Sequence, residues 1–528
     1  MVRAAPTLSC ESADVNAPIA GSGGRASDIA GVGPGVLSFH RDINERYRLI
    51  EPRHGTRGES EASMTQALAS ALRFAQERRG TTLSQLCDFL RIPSVSSDPS
   101  LADDVARAAE WLSARLRALG AERVAVFPTG GHPIVYGEIV TAGEDHPTVL
   151  VYGHYDVQPA SAIADWETDP FEPEVRGDGL RARGASDNKG PMIACIAAVE
   201  ALLSSGIMPV NVKFLFEGEE EIGSVHFRGF LEEHRDLCAC DLVLNPDVGM
   251  LGEHAPTIYY GLRGMYRARL RVAGPSRDLH SGGYGGVVRN PIHALSALVA
   301  GMHDGDGRVT LPGFYDSVRP LSAKEQSEMA ALPRDDAAYL RDSGAPALWG
   351  EPGYLAAERE GARPALDVIH MFAGSEKAAI PAEAVAIVTV RLVPDQAPDE
   401  VHTQLLRYLE ERAPESVRWE IMDWSGFPAS LTDRDAPGVR AMARAMKDVW
   451  GRDPVYYRSG GSIAAVGFIR EILGVDSILT GFSLPGDRVH GPNERLHIPS
   501  WERGIEAVIG FLCRLPEEPA PERAASRP

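Results

Sequence analysis

NVKFLFEGEEEIGS, residues 211–224, is the stretch from which the rest of the chain can be read. An apolar run of strand character, Val212 to Phe216, ends abruptly in the carboxylates Glu217, Glu219, Glu220 and Glu221. Carboxylates packed this closely repel, and burying them drives at least one pKa strongly upward unless a cation neutralises the cluster. A solvated turn after an edge strand is the commoner explanation of such a charge run. A metal site is the sharper one, and it requires ligands from elsewhere in the chain.

Outward from this stretch, apolar runs of strand length alternate with helical patterns. Runs at Arg123 to Phe127, Ile134 to Ile139, Thr148 to Tyr152 and Asp241 to Leu244 read as strands. Asp103 to Leu119, Met192 to Leu203 and Val225 to His234 read as helices. This order predicts an α/β fold with a mostly parallel sheet covered by helices on both faces, and such sheets bind ligands beyond the C-terminal ends of their strands. Those ends carry unusual polar residues: His154 and Asp156 in TVLVYGHYD, the four glutamates, and Asn245-Pro246-Asp247.

At Gly264 the pattern changes. MYRARLRV, residues 265–272, alternates as a half-exposed strand, followed by a helix near Asn290 to Met302, a strand at Val385 to Leu392, a helix at Asp399 to Glu411 and a strand at Val417 to Ile421. This falls one strand short of a ferredoxin-like split βαβ unit, and the unread stretch Asp304 to His370 has room for the missing strand. We expect residues 64–263 to be the first part of a catalytic domain, 264–432 an inserted α+β lid and dimerisation domain, and 433–515 the second part. Residues 1–63, rich in Gly, Ala, Ser and Pro, and residues 516–528 are expected to be disordered. The helical pattern opening at Met64 makes that residue a candidate translation start.

The chain's 528 residues are too many for one ordinary core. Lys and Arg number 53 against 73 Asp and Glu, a net charge of −20, which argues against nucleic acid as a partner. Six cysteines without CxxC spacing indicate neither a disulfide framework nor a thiolate zinc site, so the cytoplasm is the default compartment. No apolar run reaches the roughly 18 residues of a membrane span, and no secretory signal is evident.

The spacing His154-Tyr155-Asp156 puts two side chains on one side of an extended segment, so Asp156 can accept from the imidazole and fix its tautomer. GLRARGASDNKGPM, residues 179–192, places Asp187 in a glycine-bounded loop before a helix, where a helix cap is the bland reading. Singly these signals are weak. In order, HYD, ARGASDNKGP, EGEEEIGS, NPD, DLHSG (278–282) and VHGPNE (489–494) resemble the co-catalytic metallohydrolases: carnosinases and cytosolic dipeptidases, aminoacylases, carboxypeptidase G and succinyl-diaminopimelate desuccinylase. The resemblance covers Leu83 to Leu515, and YGHYDVQPA, WETDPFEP, GLRG and DLHSGGYGG are most similar to the dipeptidase branch.

The resemblance implies that His154 and Asp247 bind one divalent metal ion, Glu221 and His490 a second, and that Asp187 bridges both. The ions are expected to be zinc, with manganese as the alternative, since imidazole and carboxylate suit either. Asp156 would stand behind His154. Glu220 would be the general base, taking a proton from a metal-bridging water and returning it to the leaving amine. The resemblance nominates His280 as an oxyanion donor, acting from the lid in cis or from a partner subunit, and Arg391 with the Gly461-Ser462 turn as the carboxylate site. An ion pair of Arg391 with Asp395 is the structural alternative. Asn188 departs from the family, in which many relatives carry a second Asp.

The expected activity is therefore hydrolysis of the amide bond of dipeptides or short peptides with a free C-terminal carboxylate, by a homodimer joined through its lids. An N-acyl amino acid amidohydrolase with the same metals is the alternative, and a catalytically silent scaffold would have lost a ligand or the base, which this chain retains.

Overall fold

The computed structural model describes residues 56–160, 163–374 and 379–519. The expectation of disorder for residues 1–55 and 520–528 lies outside them. Two expected boundaries move. The first helix runs from Thr56 to Leu90, so residues 56–63 are helical rather than part of a disordered extension. At the other end, Glu518 is buried and its carboxylate accepts from Arg440 Nε at 2.8 Å, which orders the first residues of the expected tail.

Nine strands form the large sheet. Its middle is parallel: Asn211–Glu217, Thr148–His154, Leu242–Asn245 and Ser477–Leu479 lie side by side in that order. These are short apolar runs, buried along nearly their whole length, as strands covered on both faces must be. The flanks are antiparallel, with Ile134–Ile139 and Glu122–Phe127 on one side and Thr257–Leu262 with Ser430–Leu431 on the other. Val455–Ser459 adds a parallel strand to Thr257–Leu262. Ser430 thus returns the chain to the large sheet just before the expected boundary at residue 432.

One sheet face packs Tyr152, Leu215 and Val243 against Phe227 and Phe230 of the helix Phe227–Glu233 and against Phe468 and Ile469 of Ala464–Leu473. The helices Thr56–Leu90, Lys189–Ser204 and Ile498–Arg514 pack on one another, and Lys189–Ser204 also lies on the strand Thr148–His154. Trp501 is fully buried among them, with its indole N–H satisfied by Gly190 O at 2.8 Å.

The second sheet has four antiparallel strands in the order Ala365–Ala373, Glu383–Leu392, Gly264–Ala273, Arg418–Phe427. The strand expected within the unread stretch is Ala365–Ala373. With the helices Pro291–Ala300 and Pro398–Arg412 it completes the βαββαβ order of a ferredoxin-like unit. Strict alternation along Gly264–Ala273 sends Tyr266, Ala268, Leu270 and Val272 into a separate core with Leu295, Leu298, Val388, Val390, Leu405 and Leu409. Arg267, Arg269 and Arg271 point the other way. The segment before Ala365 contains three short helices, Ala323–Ala330, Asp336–Ser343 and Ala356–Ala362, which periodicity does not reveal.

Candidate metal centre

Each polar group at a strand end is placed by the strand before it. His154 is the last residue of its strand and pairs in register with Glu217, the last of the neighbouring parallel strand. This register brings the acidic turn beside the imidazole. Gly218 is required there: a Cβ would lie 2.6 Å from the Tyr155 hydroxyl, so only glycine lets the turn lie against that ring.

Asp156 then ties the turn down. Its carboxylate accepts the backbone N–H of Glu220 at 3.2 Å and of Glu221 at 3.1 Å. The Nδ1 of His154 faces the Asp156 carbonyl at 3.1 Å and the carboxylate at 3.4 Å. Asp156 therefore faces the imidazole with both its backbone carbonyl and its carboxylate, and the same carboxylate also holds the turn. With Nδ1 so engaged, Nε2 faces Asp187 Oδ1 at 3.0 Å and Asp247 Oδ1 at 3.4 Å.

On the far side of Asp187, His490 Nε2 lies 2.8 Å from Asp187 Oδ2 and 3.2 Å from Glu221 Oε2. Two groups therefore converge, His154 with Asp187 and Asp247, and Asp187 with Glu221 and His490. Within each group the ligand atoms lie within 4.8 Å of one another. Asp187 belongs to both. The donor set fits divalent cations, and Glu221 Oε1, buried with no hydrogen-bond partner, fits a ligand atom better than a hydrogen-bonding one.

The electrostatics agree. Burial opposes a charge on His154, yet Asp247 with the hydrogen bonds of the three aspartates lifts its pKa well above the ordinary value. Hydrogen bonds to Asp187 and Glu221 raise His490 to about 10. Burial pushes Asp247 up to about 6, against the pull of His154 and with Asp187 and Glu221 adding to it. Burial also opposes ionisation of Asp187, but the two histidines hold its carboxyl below the usual range. The carboxylates thus draw protons onto both imidazoles, as expected of a cluster built to hold positive charge.

Glu220 makes no side-chain hydrogen bond or ion pair among the described residues. Desolvation pushes its carboxyl well above the usual range; His154 opposes this, and Asp247, Asp187 and Glu221 add to it. A carboxyl free of partners and raised in pKa beside a metal site has the properties of a proton carrier. Its neighbours in the acidic turn are structural. Glu217 accepts from Tyr152 at 2.8 Å and Ser224 at 2.9 Å, while Glu219 accepts from the backbone N–H of His132 at 3.0 Å and pairs with His226 Nδ1 at 2.9 Å.

Arg391 donates from Nη1 to Ser462 Oγ at 2.8 Å, which joins the small sheet to the Gly460–Ser462 turn. The alternative pairing with Asp395 is not formed, because Asp395 is held by Arg319 at 2.8 Å. Gly461 accepts the backbone N–H of Arg263 at 3.0 Å. Glu360, from the unread stretch, braces the same turn by accepting from Gly460 N–H at 3.2 Å. His280 is exposed, its Nδ1 accepts from Gly282 N–H at 3.1 Å, and it has no contact with the carboxylate cluster among the described residues.

Four residues support the centre in ways that the sequence does not announce. Asn188 donates to Asp247 Oδ1 at 2.9 Å, a bond that an ionised Asp at this position could not make. Gln158 donates to Glu221 Oε2 at 2.9 Å. Arg183 and Glu494 form a buried pair at 2.8 Å. All four lie within the motifs that carry the ligands, and that position in the sequence was the available signal.

Comparison with known proteins agrees with this geometry. The description "Peptidase family M20/M25/M40" matches residues 150–514. The Cys-Gly metallodipeptidase DUG1 of Candida albicans is 31% identical over 478 residues, covering 83% of this chain and 95% of the relative. The Beta-Ala-His dipeptidase of Homo sapiens is 30% identical over 397 residues, covering 72% and 77%. Among solved structures, the M20 family metallo-carboxypeptidase Sso-CP2 from Sulfolobus solfataricus superposes with a TM-score of 0.74 at 30% identity, covering 83% of this chain and 99% of that one. The di-peptidase Dug1p from Saccharomyces cerevisiae gives 0.72 at 27% identity, covering 86% and 99%.

Proposed function

Because the chain belongs to peptidase family M20/M25/M40 and is a metallopeptidase, we propose that it cleaves dipeptides or short peptides whose C-terminal carboxylate is free. The observation that carries this reading is the sharing of Asp187 between two ligand sets, each with one imidazole and a second carboxylate. In this reading His154 and Asp247 hold one ion, Glu221 and His490 the other, and Asp187 both. The ions are zinc, with manganese as the alternative, and when bound they supply Lewis acidity to the scissile carbonyl and acidify water.

The chain's own groups do the rest. Asp156 fixes the imidazole of His154 and the backbone of Glu220 and Glu221, so the ligand and the base keep their spacing. Glu220 takes the proton of the attacking water and hands it to the departing amine, and its raised pKa lets it hold that proton between the two steps. Arg391 and Ser462, already hydrogen-bonded to each other, receive the substrate carboxylate. His280 serves as oxyanion donor from the lid of a partner subunit, which suits its exposure and its lack of contact with the cluster of its own chain. The protein in this reading is a homodimer of the cytoplasm, where the free state of all five described cysteines is at home. No described helix is long and apolar enough to cross a membrane.

The substrate class follows from the Cys-Gly and β-Ala-His dipeptidases among the relatives. The test is a panel of unblocked dipeptides, the same dipeptides as C-terminal amides, and N-acetyl and N-succinyl amino acids. Turnover of the free dipeptides is expected, with the amides slower by about tenfold or more for loss of the ion pair to Arg391. Hydrolysis of the acyl amino acids alone would make the protein an amidohydrolase.

A further inference from the structure

The segment carrying His490 is unusual backbone. Arg488, His490 and Asn493 all have positive φ, at 53°, 64° and 60°. This region is costly for most residues other than glycine and, to a lesser degree, asparagine, and at Arg488 and His490 it persists only where the surroundings over-determine it. Asp487 anchors the start of the segment by accepting from Leu484 N–H and Arg495 Nε, and Asn493 anchors its end through Glu167 N–H and Asp165 O. Between them, Arg183 holds the His490 carbonyl: its Nη2 donates to that oxygen at 3.0 Å and to Pro159 O at 3.3 Å.

The other end of the same guanidinium meets Glu494. Arg183 Nη1 donates to Glu494 Oε2 at 2.8 Å, joining positions 311 apart in sequence. Glu494 then receives three backbone N–H groups, from Gly184 at 3.0 Å, Ser186 at 2.9 Å and Asp187 at 3.2 Å. Both side chains are buried, and the guanidinium also lies over the Trp166 ring. A buried ion pair is a poor device for stability alone, because desolvation offsets most of its attraction. Here the acceptors of Glu494 left over from the ion pair all go to the backbone that presents Asp187, and Arg183 Nη2 reaches the backbone of His490, while Arg183 Nε is buried without a hydrogen-bond partner.

We propose that Arg183 and Glu494 are positioning residues that tune the two cation positions unequally. Glu494 fixes the backbone of Asp187, which both ligand sets share. Arg183 also fixes His490, which belongs to one set only. Losing the Arg183 bond to His490 therefore weakens one cation, and losing Glu494 weakens both. The inference rests on the two-cation reading of the centre.

The test uses full-length protein stripped by chelation, with zinc alone as the probe, in stepwise calorimetric titrations and by metal analysis after dialysis. Arg183→Lys keeps a charge for Glu494 while giving up the fork that reaches His490, and thermal melting of the stripped protein shows whether the variant is folded. The expected result is a folded Arg183→Lys in which one zinc binds about tenfold to a hundredfold more weakly and the other within about threefold of the parent, whereas Glu494→Gln weakens both. A parent that binds two zinc ions and an Arg183→Lys that binds both with parental affinity would overturn the inference alone. So would equal weakening of both ions in Arg183→Lys, or loss of folding in both variants, since the pair would then be a general fold determinant. A parent that binds one zinc or none would overturn the two-cation reading, and the inference with it.

Discussion

His154 and His490 stand on opposite sides of Asp187, and the chain reaches them by different means. His154 ends a parallel strand, its side chain is 0% exposed, and its register with Glu217 is set by the sheet. His490 lies in a loop of left-handed residues with its side chain 54% exposed, and its backbone is held by a guanidinium from a distant segment. The strand-end half of the centre is built by the same hydrogen bonds that build the fold. The loop half is held by side-chain hydrogen bonds from distant segments.

The sharpest way to probe this difference is to remove the group that serves both halves without belonging to either ligand set. Glu220→Gln is expected to lower kcat by roughly a hundredfold or more while metal content and melting temperature stay at parental values. Loss of metal along with activity would mean that Glu220 is part of the ligand shell. Next in size, His154→Ala and His490→Ala should both lose a cation, but in stripped protein they should differ in stability. His154→Ala leaves a buried hole among unpaired carboxylates and should cost about 2 kcal/mol or more. The half-exposed His490 should cost less than about 1 kcal/mol. Equal losses in chemical denaturation would erase the distinction between the halves.

The smallest effect concerns Glu217, behind the strand-end half. Burial raises its pKa to about 8 from an ordinary 4.5, with the charge of Asp156 adding and the bonds from Tyr152 and Ser224 opposing. Folding therefore favours the protonated form, so this group's contribution is fully present below about pH 4.5 and is lost as pH rises through about 8. Glu217→Gln, which cannot ionise, should gain on the parent between pH 5 and pH 9 by about 2 °C or more in the melting temperature of stripped protein. A constant difference across that range would show that Glu217 stays ionised.

Legibility in the sequence followed the same division. The apolar runs ending in His154, Glu217 and Asn245 displayed both the sheet and the strand-end ligands, because a strand buried on both faces must be apolar and must stop where polar residues begin. His490 became legible only through the resemblance of VHGPNE to a family, since nothing in its local pattern announces a ligand. Arg183, Asn188 and Glu494 were in view but carried no distinguishing signal, because a hydrogen bond between residues far apart in sequence leaves no periodicity. The strand Ala365–Ala373 was expected in its stretch but not placed, for a related reason. It is an edge strand whose exposed Ile369, Met371 and Phe372 break the alternation, and its place is fixed by pairing with Glu383–Leu392.

The sequence alone indicated the fold class and the strand-end position of the centre, and its resemblance to a family nominated the ligands, since these depend on local polarity and on short ordered motifs. The resemblance nominated Glu220 and Glu221 for their roles, and only the tertiary structure decided which partners each of the four neighbouring glutamates takes. Glu217 turned to Tyr152 and Ser224, Glu219 to His132 and His226, Glu221 toward His490, and the Glu220 side chain was left without a partner among the described residues. The side chains are chemically identical, so their roles are set by which distant groups the folded chain brings within hydrogen-bonding distance of each.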